Sequence, residues 1–220
     1  MLFRSGSIPY RCDLADEAAV EALIERFPVA DLLINAAGFA RAGVFAECSW
    51  PEIQCQVEVN LLALTRLCHH FMKAMRVQGH GVILNIGSSA VLSASPDLAV
   101  YAAAKSFVHS LSRSLAIEGE GRVRVKCLFP CPTESAFAQR AGLPRRSRMN
   151  QPAEIAAAAL RLIDNDSRIE MLAGRLARIK ALTKFVLPVS FTTILRNRLK
   201  RNRAEHKNGD SSGGQSRVPR

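Results

Sequence analysis

The feature that most limits the fold of this chain is an alternation. Short apolar runs recur between long stretches of helical pattern. Asp31-Leu-Leu-Ile-Asn35 is ended by Ala-Ala-Gly38, Gly81-Val-Ile-Leu-Asn-Ile86 stands alone, and Arg122-Val-Arg-Val-Lys-Cys-Leu-Phe129 is stopped by Pro130-Cys-Pro132. Short apolar runs of this kind read as strands covered on both faces. Between them, Trp50 to Val77 is Ala/Leu-rich and nearly free of breakers, and Leu98 to Glu118 is similar. Both read as long helices. Shorter helices are expected over Asp16–Phe27, which opens with acids, and over Pro152–Asp164, with Pro near the first turn. Ile8–Cys12 reads as a further strand. Strands joined by crossover helices imply an α/β fold with a parallel sheet.

Charge and cysteine usage narrow the function classes. The net charge of +11 belongs to the end of the chain: residues 175–220 hold 12 Lys/Arg against Glu205 and Asp210, while residues 1–174 are nearly balanced. The body therefore needs no nucleic-acid partner. The six cysteines are scattered, with no Cys-x-x-Cys pair. That fits a reducing cytoplasm better than a disulfide framework, and no metal site is expected. The first residues hold no apolar stretch of signal-peptide length. Three regions are expected: a body over 1–174, a basic amphipathic helical extension over 175–201, and a disordered basic tail over 202–220. The apolar stretch Ala181–Leu195, interrupted by Lys184 and Pro188, is short of the ~20 residues of a spanning helix. It fits either a helix packed on the body or a weak contact with a membrane surface through 175–203.

One pair carries chemistry. Tyr101 and Lys105 stand four residues apart in a helical pattern, so they share a face. A tyrosine titrates near pH ~10, and serving as a base at neutral pH requires about three units of depression, or ~4 kcal/mol. A nearby ammonium favours the phenolate and supplies part of that. Ser88 follows the strand ending at Ile86, at the carboxyl edge where open α/β sheets place their ligands. Asn60 is a polar amide amid Val57, Val59, Leu61 and Leu62.

With these pieces in order, the chain resembles the short-chain dehydrogenase/reductase family. The matching residues are Asp13-Leu14, Asn35-Ala36-Ala37-Gly38, Asn60, Asn85-Ile-Gly-Ser88, Tyr101-Ala-Ala-Ala-Lys105 and Pro130-Cys-Pro-Thr133. The resemblance implies a Rossmann-like doubly wound sheet and an NAD- or NADP-dependent oxidoreductase that interconverts a secondary alcohol and a ketone. It implies Tyr101 as general acid/base, Lys105 on the nicotinamide ribose and Ser88 on the substrate oxygen. Asn60 would hold a relay water. Asp13 and Leu14 would sit by the adenine, with Asn35, Ala36 and Gly38 along the cofactor groove, and Pro130 and Thr133 near the carboxamide. A homodimer or homotetramer assembled through the two long helices is likewise implied.

The chain also departs from the family pattern. The glycine-rich turn Thr-Gly-x-x-x-Gly-x-Gly has no match, and Met1 stands near where the family's third strand would begin. An N-terminally truncated sheet, short of two βα units or on the order of 50 residues, is therefore expected. Asp31–Asn35 would then be an exposed apolar edge. That absence keeps an alternative open: a non-catalytic relative acting through its surface or tail. Cys131 replaces a glycine usual after Pro130. The Arg-rich stretch between Ser135 and Met149 falls at the family's substrate lid. Arg145, Arg146 and Arg148 there stand either in a solvated loop or facing an anionic substrate group.

Overall fold

A computed structural model describes residues 8–92, 95–143 and 149–174. Its centre is a sheet of four parallel strands in the order β1 (Leu32–Asn35), β2 (Gly81–Ile86), β3 (Val123–Pro130) and β4 (Glu170–Ala173). Asn35 is level with Asn85, and Asn85 with Cys127, so the carboxyl ends of β1 to β3 form one edge. The helices are α1 (Glu17–Arg26), α2 (Trp50–Val57), α3 (Leu64–Gln78), α4 (Ala99–Glu118), α5 (Ala136–Arg140) and α6 (Pro152–Ile163).

The two-residue period of the strands sorts the core into layers. On one face Ile83, Val125, Cys127 and Phe129 pack against Val20 and Ile24 of α1, Leu67 and Phe71 of α3, and Val108 of α4. On the other, Leu84 and Leu128 meet Ala158 and Leu162 of α6. Helices thus cover both faces, as the alternation required. Local signals set several boundaries. Asp16 caps α1 by accepting the amide of Ala18 at 2.9 Å. Gly79 ends α3 in the left-handed region, at φ +82.

Four features differ from the sequence reading. Residues 8–12 form no strand; Cys12 and Leu14 instead pack on the α1 side of the core. The helix expected from Trp50 to Val77 is broken by a π-helical turn over Glu58–Ala63. β4 is a fourth strand, and α5 a short helix inside the Arg-rich stretch after Ser135, neither of them expected. β4 had no long apolar run to announce it. It is positioned by Lys126, whose buried ammonium donates to the carbonyls of Asn165 and Arg168 in the loop ahead of the strand.

β1 is the sheet's edge among the described residues, as expected. Leu32 and Ile34 share the face of Leu84 and Leu128 but lie beyond α6, and remain 42% and 47% exposed. The extension over 175–201, the tail over 202–220 and Arg145, Arg146 and Arg148 lie outside the described residues. No helix among the described residues is long and apolar enough to cross a membrane.

Candidate active site

The carboxyl edge of the sheet gathers five of the singled-out residues. β2 ends at Ile86, and a turn carries Ser88 out of the sheet. α4 then brings Tyr101 and Lys105 back across it, one helical turn apart. The Ser88 hydroxyl accepts the amide of Ala90 at 3.1 Å and lies beside the Tyr101 phenol, and Lys105 Nζ donates to the Ile86 carbonyl at 2.9 Å. Asn60 approaches from the other side. Its Nδ2 donates to Phe39 O at 2.9 Å and Gln56 O at 2.8 Å, which holds the amide in the π turn. Its Oδ1 is buried with no hydrogen-bond partner among the described residues. A π turn changes the angular spacing of a helix and re-aims one side chain, a device common at functional sites.

Gly38 shows how tightly these groups converge. A Cβ built on it would lie 2.7 Å from Asn60 Oδ1 and 3.4 Å from Lys105 Nζ. Only a residue without a side chain fits between the loop after β1 and the two polar groups beneath it.

The electrostatics correct one expectation. Burial pushes the Tyr101 phenol above its ordinary value of 10, and the neighbouring Ser88 hydroxyl offsets this only in part. Lys105 does not lower it in this state. Its Nζ is 5.8 Å from the ring centroid and is turned to the Ile86 carbonyl. Burial acts on the lysine as well, bringing it down from 10.5 to about 8. It is still mostly charged at neutral pH.

The remaining singled-out residues are placed less directly. Asn35 is buried and its amide points into the core, donating to Asn85 Oδ1 at 2.9 Å. Asn85 in turn donates to Ser112 Oγ at 3.0 Å. This chain ties β1, β2 and α4 together below the site. Ala36 is exposed on the rim. Asp13 is exposed and accepts the amide of Ala15 in a local turn, and Leu14 packs on the core. Pro130 ends β3, and Thr133 Oγ1 donates to the Cys131 carbonyl at 2.8 Å. Among the described residues, no hydrogen bond or ring contact joins Asp13, Leu14, Pro130 or Thr133 to the tyrosine cluster. A hollow of about 470 Å³ bounded by Arg113, Ser167, Arg168 and Glu170 shares no residue with the cluster.

Two residues at the site escaped the sequence reading. Gln56 is buried and its Oε1 accepts the amide of Arg41, fixing the loop beyond Gly38. Phe137 of α5 lies against the Tyr101 ring, with centroids 5.3 Å apart. A lone aromatic in an Arg-rich stretch was the available signal for it.

The arrangement suits part of a nicotinamide dinucleotide. An ammonium and an unpartnered amide oxygen converge beneath the exposed backbone of Gly38, supplying donors and an acceptor of the kind a ribose requires. For the pyrophosphate, the chain's sequence holds no glycine-rich βα turn.

Comparison with known proteins agrees with this geometry. The family described as short chain dehydrogenase matches residues 4–145. The chain is 34% identical over 129 residues to 2-(R)-hydroxypropyl-CoM dehydrogenase of Xanthobacter autotrophicus, covering 56% of this chain and 51% of that one. It is 33% identical over 172 residues to 3alpha-hydroxysteroid dehydrogenase of Mediterraneibacter gnavus, covering 71% and 67%. Among solved structures it is similar to an alcohol dehydrogenase from the archaeon Thermococcus sibiricus complexed with 5-hydroxy-NADP. That match has a TM-score of 0.61 at 25% identity over 74% of this chain and 72% of that one. The chain thus spans about half to two thirds of the length of these curated relatives.

Proposed function

The chain belongs to the short-chain dehydrogenase family, and from that premise we propose that it serves hydride exchange between NAD or NADP and a secondary alcohol or its ketone. The observation that carries the reading is the convergence of Ser88 and Tyr101, with Lys105 and Asn60 beside them, at the carboxyl edge of a parallel sheet. In this reading Tyr101 Oη takes the proton of the substrate hydroxyl as the carbinol carbon gives up its hydride, and returns it in the reverse direction. Ser88 Oγ donates to the substrate oxygen and orients it. Lys105, mostly charged at neutral pH, holds the ribose hydroxyls, and Asn60 Oδ1 accepts from a water that passes the proton to solvent. Gly38, Asn35 and Ala36 form the groove floor, with Asp13, Leu14, Pro130 and Thr133 completing it. When bound, an oxidised nicotinamide supplies the hydride acceptor and a positive charge that favours the phenolate. Tyr101 requires such a charge, because burial alone holds its phenol protonated.

The two curated relatives and the solved structure are all named as dehydrogenases, which supports the same class here. The test is alcohol-dependent reduction of NAD and NADP by the chain and by Tyr101→Phe. Losing the proton carrier should lower the rate by about 100-fold or more. Equal rates would remove Tyr101 from the mechanism. The reading includes self-assembly, since Trp50 and Leu62 near the π turn and Phe107 and Ile117 of α4 are exposed and apolar. Sedimentation as a dimer or tetramer is expected.

A further inference from the structure

The Tyr101 ring is enclosed by hydrocarbon. Phe137 tilts over it at 49°, Ala40 and Ala141 are buried against it, and Ala90, Leu98 and Leu143 pack around the edge. Backbone bonds hold this wall in place: Ala42 N donates to Ala141 O at 2.9 Å, and Gly43 N to Asp97 O at 2.9 Å. The loop after β1, the start of α4 and the end of α5 are thereby joined above the tyrosine. Nearby guanidinium groups are turned elsewhere. Arg41 lies 3.7 Å from Glu52 and reaches the Arg140 carbonyl, and Arg140 Nε folds back to the Ala136 carbonyl.

Tyr101 is only 9% exposed, and Phe137 lies against its ring with centroids 5.3 Å apart. A carbinol carbon seated between Tyr101 and Ser88 then sets its two flanking groups against the wall. A carboxylate, a phosphate or a run of hydroxyls there would lose water and find no partner among these side chains. A hydrocarbon group would gain by burial. We propose that Phe137 is a specificity-determining residue that selects secondary alcohols and ketones flanked by uncharged alkyl or alicyclic groups, against hydroxy acids and polyols. The selection rests on the hydride-transfer reading of the same site.

The experiment measures kcat/KM for 2-butanol, 2-hexanol, 2-octanol and 2-hydroxyoctanoate with the chain, with Phe137→Ala and with Phe137→Leu. Each added methylene should raise kcat/KM about three- to fourfold, with 2-hydroxyoctanoate far below 2-octanol. The series should flatten in Phe137→Ala and persist in Phe137→Leu, which keeps an apolar side chain. A series unchanged in Phe137→Ala, or a preference for the carboxylate, would overturn the proposal while leaving hydride transfer intact. Should no alcohol be turned over, the hydride-transfer reading fails, and binding decides the selection by itself. Saturation-transfer NMR with 2-octanone and the cofactor-free chain should show contact that Phe137→Ala weakens severalfold and Phe137→Leu retains. Absent contact, or equal contact in all three proteins, would refute it. Thermal midpoints of the variants show whether each keeps its fold.

Discussion

Replacing Gly38 with alanine tests the packing of the site at one atom. The added methyl would stand 2.7 Å from Asn60 Oδ1, well inside ordinary contact, so one partner must yield by more than half an ångström. The amide cannot yield freely, because its Nδ2 is bonded to Phe39 O and Gln56 O in the π turn. Overpacking of this kind costs about 1–3 kcal/mol, and losing one of those bonds adds about 1 kcal/mol. Gly38→Ala should therefore lower the free energy of unfolding by about 2–4 kcal/mol in urea titrations. The double variant with Asn60→Ala discriminates. With Oδ1 gone, the remaining neighbour is Lys105 Nζ at 3.4 Å, an ordinary contact. The cost of adding the methyl should then fall below about 1 kcal/mol, a coupling well above the scatter of independent sites. Additive effects in the double variant, or an unchanged Gly38→Ala, would show that Asn60 does not sit beneath Gly38.

Two further outcomes follow from titration and burial. The native chain binds the Lys105 proton only below about pH 8, whereas the unfolded chain binds it up to about 10.5; between those values the unfolded state holds more protons, so this lysine makes stability rise with pH. Lys105→Met removes that rise, so its stability relative to the parent should be highest at neutral pH and shrink by about 3 kcal/mol by pH 10.5; a gap that does not change with pH would contradict the buried ammonium. Burial pushes the Cys68 thiol to about 11 and that of Cys127 to about 12, and Cys131 is also buried, while Cys12, Cys48 and Cys55 are partly exposed. An aromatic disulfide reagent at pH 8 should therefore modify three thiols in the native chain and six after denaturation; six reacting together would contradict the core.

The sequence carried the layered body and the tyrosine cluster because both depend on local spacing. An apolar run bounded by small residues makes a buried strand in most contexts, and a four-residue spacing on a helix puts two side chains on one face. β4 was not legible, since Glu170–Ala173 is short and only half-buried and depends on Lys126 reaching over from β3. Residues 8–12 carried a strand-like pattern, yet the bare edge of β1 does not pair with them. The sign of the Tyr101 shift could not be read either. The distance from Lys105 to the ring and the depth of burial are properties of the packed helix, and there burial outweighs the lysine. The π turn likewise had no signal beyond one amide among apolar neighbours. Phe137 became significant only once α5 was seen to close over the tyrosine.

The chain has two tyrosines, so Tyr10→Phe leaves Tyr101 as its single phenol and allows it to be titrated by tyrosinate absorbance. Alone, it should ionise above the ordinary value of 10. Saturating oxidised NAD or NADP should draw it down toward neutrality, and the reduced form, lacking the ring charge, should draw it down less. A phenol that ionises at the same pH with and without oxidised cofactor would contradict the claim that Tyr101 carries the proton.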